Sequence, residues 1–374
     1  MVKQIKPGQT IGILGGGQLG RMMAIAAKQM GFRIAIMDPT PNSPTGQIAD
    51  VEITASYDDQ LAAQKLLDQS DVITYEFESI DLEVCQYLVQ NGYVPQGSHL
   101  IKVSQDRAFE KEAITNSGAK VVPYKLVSDQ SDLLKAIDEI GYPCVLKTRR
   151  GGYDGKGQQI LKSSDDLAEA EPQLKSGLCI LEQFLPFEKE ISVMVSRGVN
   201  GEVKTFPASE NIHVEHILLK SIVPARITQD VEEQAKEAAV ELAESIGMVG
   251  TFGVEMFLTQ EGEIYINEVA PRPHNSGHYT LDACRTSQFE QHIRAITGMS
   301  LAETTLNHPV VMMNVLGEHI PDVVKRIPVV KNAKLHLYGK AEVKPKRKMG
   351  HVNFIGDHTK GLLQQIKDLD IWRQ

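Results

Sequence analysis

Between Lys6 and about Gly97 the chain alternates short apolar runs with longer amphipathic ones: TIGILG, RMMAIAAKQM, FRIAIMD, DQLAAQKLLDQ, DVITYEF and LEVCQYLVQ. Apolar strands separated by amphipathic helices predict a parallel sheet with crossover helices, so the first part is Rossmann-like. SQDRAFEKEAITNSGAKVVPY then predicts a helix and a turn leading out of that sheet. From about Val121 the pattern changes: CVLKT, QQILK, CILEQF, EISVMVS and VKTFPAS follow one another with turns between them. That succession predicts α+β structure with antiparallel pairing. After about Ser300 come two further strand-like runs, HPVVMMNVLG and AKLHLYG, and a closing helix. The fold class expected is α/β followed by α+β, in three packed parts over 1–105, 106–299 and 300–374.

Length and charge narrow the partners. A chain of 374 residues exceeds one ordinary core. A formal charge of -9 without a long basic run disfavours nucleic acid and anionic lipid, so any anionic ligand must meet a local basic cluster. No apolar segment approaches the ~20 residues of a membrane span, and glycines cut the N-terminal apolar run too short for a signal peptide. Cys85, Cys144, Cys179 and Cys284 form no C-x-x-C pair, which argues for core thiols in a reducing cytosol.

Two glycine-rich stretches carry candidate chemistry. Gly15, Gly17 and Gly20 fit G-x-G-x-x-G, and Asp38 lies where a ribose-binding carboxylate of a nicotinamide site would be. Asp38 also precedes Pro-Thr-Pro, a turn that explains an acid by local hydrogen bonding, so the dehydrogenase reading is weak. YPCVLKTRRGGYDGKGQQIL joins two strands through its glycines, whereas a Walker A loop leads into a helix. It reads as a hairpin flap whose backbone N–H groups can approach an anion, with Lys147 and Lys156 adding charge. A plain surface hairpin is the bland alternative. Further on, GTFGVEMFLTQEGEIYINEVAPRPHNSGH folds about TQEGE and sets Glu255 opposite Asn267 or Glu268. Acids inside apolar strands are expensive unless used, and two carboxylates with an amide oxygen suit magnesium.

A lysine-bearing strand, a glycine hairpin, an E-x-x-L segment and an N-E strand in this order resemble the ATP-grasp superfamily. GGGQLGRM, GGYDGKGQ and NEVAPRPHNSGH most closely resemble the 5-(carboxyamino)imidazole ribonucleotide synthetases of purine biosynthesis, from Gly15 to about Phe354. The resemblance implies an ATP-grasp fold with an N-terminal Rossmann-like domain and a small C-terminal domain that completes the ribonucleotide site. It also implies that the first glycine turn helps hold the second substrate and binds no dinucleotide.

The site follows by the same resemblance. Arg107 and Lys147 would meet the ATP phosphates, and the flap residues Gly152, Tyr153, Asp154, Gly155, Lys156, Gly157 and Gln158 would close over them. Glu182, Gln183, Phe184 and Leu185 would border adenine, Glu190 the ribose hydroxyls, and His213 the nucleotide. Glu255 and Glu268, completed by Asn267, would bind magnesium or manganese. Arg272 would hold planar bicarbonate with two parallel hydrogen bonds, helped by His274 and Asn275. Glu76, with Glu78 as alternative, would face the imidazole and ribose together with Tyr153 and Asp154, and Asp154 would accept from the exocyclic amine. Lys344, Arg347 and Lys348 would hold the ribonucleotide phosphate, although family members often carry arginine at the first position. The implied reaction makes carboxyphosphate from ATP and bicarbonate and carboxylates aminoimidazole ribonucleotide, in a cytoplasmic homodimer. A formate-using ATP-grasp enzyme such as glycinamide ribonucleotide transformylase is the nearest rival, and a non-catalytic nucleotide-binding regulator the rival of another class.

Overall fold

The computed structural model describes residues 3–152 and 156–373. The first ninety residues form a parallel four-stranded sheet in the order Val51–Thr54, Arg33–Asp38, Thr10–Leu14, Val72–Tyr75. Ile11 pairs with Ile34 on one side and Val72 on the other, and helices cover the sheet, which is why these strands read as unbroken apolar runs. Helices Gln60–Asp68 and Leu82–Asn91 each start at an aspartate, Asp59 and Asp81, whose carboxylate accepts a first-turn N–H.

Two antiparallel sheets follow. The smaller runs Tyr124–Val127, Cys179–Gln183, Cys144–Thr148, Gln158–Leu161. The larger has nine strands and begins Ile264–Ala270, Gly250–Leu258, Lys189–Arg197, Ser209–Val214, Ile217–Val223, with Val203–Thr205 against Lys189–Arg197. It continues through Val310–Leu316 and Lys348–Ile355 to Ala333–Leu337. Ser221 pairs with Met312, so the last part of the chain extends the middle sheet without a break. Lys348–Ile355 is a strand that the sequence reading left out. Its alternating His351 and Asn353 look like a solvated face, yet both are fully buried.

Helix Gln288–Thr297 ties the first sheet to the large one. Ser287 caps its start, and Gly298 at φ 79° ends it. Phe289, Ile293 and Ile296 pack into one cluster with Met23, Ala27 and Ile34 of the first part. Burying three such side chains contributes roughly 1.5–3 kcal/mol each, so the two parts form one body. No described helix is long and apolar enough to cross a membrane.

Candidate active site

Glu255 pairs directly with Glu268, and the next pair is Met256 with Ile266, so Asn267 is the extra residue of a β-bulge. A bulge re-aims side chains that would otherwise alternate, and it offers Asn267 and Glu268 together. Helix Arg107–Asn116 holds it in place: the Glu110 carboxylate accepts from Val269 N–H at 2.8 Å, and the Lys111 ammonium donates to the Asn267 carbonyl at 3.1 Å. Arg107 of the same helix comes within 3.8 Å of Glu268. The Asp106 carboxylate starts the helix and also takes Arg149, just before the flap, at 2.8 Å and 2.9 Å.

Arg107 and Lys111 do not offset the acids at Glu255 and Glu110. Burial, then the facing Glu268, push Glu255 up to about 8, and burial with Glu268 likewise raises Glu110 to about 7. The Asn267 side-chain oxygen is buried without a partner. Among the described residues no three His, Cys, Asp or Glu side chains converge on a metal position. Two carboxylates and one amide oxygen make a half-site, which fits magnesium or manganese completed by phosphate oxygens and water.

At the other end of the cleft the charges are matched. Glu182 meets Lys147 at 2.6 Å and the fully buried Lys111 at 3.5 Å. Burial would raise its carboxyl, but Lys111, Lys147 and Arg107 outweigh that and hold it at about 2. Lys147 is itself pushed down, first by burial and then by Lys111 and Arg107, against the pull of Glu182. The two shifts agree once Lys147 is seen as one of three cations around a single acid. Lys147 pairs in register with Gln158 across the flap strands, and Thr148 N–H bonds the Gly157 carbonyl. Gly152 and Lys156 flank this closure, while Tyr153, Asp154 and Gly155 lie outside the described residues. Gln183 and Phe184 spend their N–H groups on the Pro123 and Pro143 carbonyls, which leaves neither N–H for a ligand. Glu190 and His213 approach to 3.0 Å, an ion pair poorly aligned for a hydrogen bond. That acid and Glu255 keep the imidazole above its ordinary range although burial opposes them.

Arg272, His274 and Asn275 line a cavity of about 190 Å³ with Gln18, Leu19, Glu76, Phe77 and Lys348. A larger groove of about 390 Å³, between His99, Phe109 and Ser245, contains none of the expected site residues. Arg272 donates through Nε to Glu78 at 2.7 Å and through Nη1 to the Pro273 carbonyl at 3.4 Å, which aims the rest of the guanidinium. His274 Nε2 reaches Glu255 at 3.2 Å, and its Nδ1 accepts from Ser276 N–H at 3.4 Å. Burial, then Arg272 and Lys348, hold it well below the usual histidine range, so the ring is neutral. Both polar atoms of the Asn275 amide are buried without partners, as a ligand-binding amide awaiting its ligand would be.

The glycine turn explains why the first part is no dinucleotide site. Gly16 N–H donates to Asp38 at 2.7 Å, Gly20 N–H to Glu76 at 2.7 Å, and Gly17 N–H to Glu76 as well. A Cβ at Gly17 would strike that carboxylate. The donors that would cradle a pyrophosphate already hold the chain's own acids. Glu76 therefore anchors the turn and lines the cavity, while Glu78 steers Arg272.

The basic segment divides. Lys348 lines the cavity. Arg347 is exposed and donates to the Glu342 carbonyl at 2.9 Å. Lys344 is also exposed and pairs with Glu342, so it is not brought into the cavity. Lys340, which the sequence reading passed over, donates to the Lys348 carbonyl at 2.8 Å. Burial, then Arg347, lower it to about 8. Its signal is only visible once the hairpin between Ala333–Leu337 and Lys348–Ile355 closes. Glu110 and Lys111 were missed too, because charges spaced i, i+3 and i+4 on a helix ordinarily mark a solvated face.

Three family models cover the chain: a ribonucleotide synthetase preATP-grasp domain over 8–105, an ATP-grasp domain over 112–289, and a phosphoribosylaminoimidazole carboxylase C-terminal domain over 310–365. The chain is 51% identical over 367 residues to the N5-carboxyaminoimidazole ribonucleotide synthase of Bacillus subtilis (strain 168), covering 98% of this chain and 97% of that one. It superposes with a TM-score of 0.97 on the ADP complex of an N5-carboxyaminoimidazole ribonucleotide synthetase, at 56% identity over 100% and 99% of the two chains. The Aspergillus clavatus synthase in complex with ADP and 5-aminoimidazole ribonucleotide matches with a TM-score of 0.91 at 29% identity, over 96% and 97%. With that agreement along its whole length, the chain belongs to the N5-carboxyaminoimidazole ribonucleotide synthase family of ATP-grasp ligases.

Proposed function

We infer that this protein carboxylates 5-aminoimidazole ribonucleotide with ATP and bicarbonate, giving N5-carboxyaminoimidazole ribonucleotide, ADP and phosphate in purine biosynthesis. One observation carries the reading: Arg272, His274 and Asn275 share a cavity with Glu76 and Lys348, and His274 reaches Glu255 at 3.2 Å. The loop that suits a small planar anion thus stands between the carboxylate half-site and the ribonucleotide side.

A bicarbonate oxygen attacks the γ-phosphorus as the bond to ADP breaks, giving carboxyphosphate. The exocyclic amine then bonds to the carboxyl carbon, directly or through released carbon dioxide, and its proton leaves with the phosphate. Arg272 orients the bicarbonate and the neutral His274 and Asn275 complete its hydrogen bonds. Lys147 and Arg107 neutralise phosphate charge, and Leu185 reads adenine. Lys348, Arg347 and Lys340 take the ribonucleotide phosphate, while Asp154 accepts from the amine and the flap excludes water from the labile intermediate. Magnesium held by Glu255, Glu268 and Asn267 would draw charge from the γ-phosphoryl group. The reading extends to a cytoplasmic homodimer, whose mass light scattering on the purified protein checks.

The test is ADP release with magnesium-ATP, comparing bicarbonate with formate, each with and without the ribonucleotide. Release that depends on bicarbonate and is strongly raised by the ribonucleotide is expected. Release with formate, or no response to the ribonucleotide, overturns the substrate assignment.

A further inference from the structure

Thr74, Gln96 and His292 are buried between the first sheet and the large one, and none of them touches the cleft just described. Thr251 N–H donates to His292 Nδ1 at 3.0 Å. Nδ1 is therefore an acceptor, and the neutral ring carries its proton on Nε2. That nitrogen lies 2.8 Å from Thr74 Oγ1, so it donates there. The Thr74 hydroxyl donates in turn to the Gln96 side-chain oxygen, and Gln96 Nε2 donates to the Pro271 carbonyl at 3.4 Å. A backbone N–H can only donate and a carbonyl can only accept, so both ends of this chain fix every direction within it.

Each end sits beside a group of the site. Thr74 is two residues before Glu76, Thr251 is the second residue of the strand Gly250–Leu258 that carries Glu255, and Pro271 immediately precedes Arg272. We propose that Thr74, Gln96 and His292 are positioning residues that hold the bicarbonate loop in register with the ribonucleotide side, so that carboxyphosphate forms where the amine can meet it. The proposal rests on the carboxylation reading above. A chain of one fixed direction suits this task, because it cannot slip to another pairing without stranding a buried donor.

Thr74→Val removes the hydroxyl at constant shape, Thr74→Ser keeps it, and Gln96→Met removes both the acceptor of the Thr74 hydroxyl and the tie to Pro271. For Thr74→Val and Gln96→Met, each of which removes two links of the chain, the KM for bicarbonate and for the ribonucleotide should rise on the order of tenfold, while the KM for ATP stays within about twofold. ADP released per ribonucleotide carboxylated should also rise, because misplaced carboxyphosphate hydrolyses, and Thr74→Ser should return both to near wild type. A folded Thr74→Val or Gln96→Met protein with wild-type KM values and ADP yield overturns the proposal even if its melting temperature falls. Should Thr74→Val not fold, Gln96→Met decides alone. Wild type run in parallel keeps the readings apart: if it needs neither bicarbonate nor the ribonucleotide, the carboxylation reading fails instead.

Discussion

The cleft has an acid at each end, Glu182 buried and Glu255 largely so, and the chain treats them in opposite ways. Glu182 is 3% exposed and enclosed by Lys147, which donates to its Oε2, and by the fully buried Lys111, which faces its Oε1 as an ion pair, so it is ionised and charge-matched by the chain itself. Glu255 faces another carboxylate across the bulge; the His274 ring beside it is neutral, and His213 and Lys348 only partly offset burial and Glu268. An acid that the chain neutralises serves its own architecture. An acid that it leaves opposed by its like is the one that the proposed mechanism gives to a cation arriving with the substrate.

Removing one acid of each kind should therefore give opposite signatures. Glu268→Gln should lower turnover by roughly 10³-fold, the scale of losing several kcal/mol of charge stabilisation, while the melting temperature holds or rises because a repulsion is gone. ADP release and thermal unfolding on the same sample check this; near-normal turnover would remove Glu268 from the metal half-site. Glu182→Gln should instead destabilise the protein by roughly 3–5 kcal/mol at neutral pH, since it leaves Lys111 and Lys147 buried without their acid. The sign with pH follows from the low folded value. Glu182, held at about 2 against an ordinary 4.5, stabilises above about 4.5 and loses that contribution as the pH falls toward 2. Denaturant unfolding should show the gap between wild type and Glu182→Gln narrowing over that range.

The same contrast explains what the sequence disclosed. Glu255 and Glu268 stand out because acids interrupt apolar strands about a clear turn, and a hairpin leaves only one residue of register open. The bulge that closes that uncertainty depends on Glu110 and Lys111, over 150 residues earlier in a helix whose pattern gives no sign of facing inward. Strand Lys348–Ile355 was hidden for a related reason: buried His351 and Asn353 imitate a solvated face, and their partners lie on other elements. Parallel strands and helix starts were legible because local pattern and capping dictate them. Long-range polar pairing was not, since either partner alone looks like surface.

Arg272 sharpens the comparison at the cavity. Nε already serves Glu78, so a planar anion needs the remaining donors in their fixed fork. Arg272→Lys keeps the charge and loses that fork, and the KM for bicarbonate should rise roughly tenfold with the KM for ATP unchanged.

The smallest effect separates two lysines only four residues apart. Lys344 is 64% exposed and pairs with Glu342, itself 63% exposed, so solvent and salt screen it and Lys344→Ala should move the KM for the ribonucleotide by less than about twofold. Lys340 is half-buried, anchored on the Lys348 carbonyl, and lowered to about 8 by burial and its cationic neighbours. An ammonium so placed gains from a phosphate what it lost to burial, and Lys340→Met should raise that KM on the order of tenfold near pH 7. Its charge fades as the pH rises through about 8, so the advantage of wild type over Lys340→Met should shrink toward pH 9, while Lys344→Ala follows wild type throughout. A tenfold effect of Lys344→Ala would mean that this side chain leaves Glu342 and turns inward when the phosphate arrives.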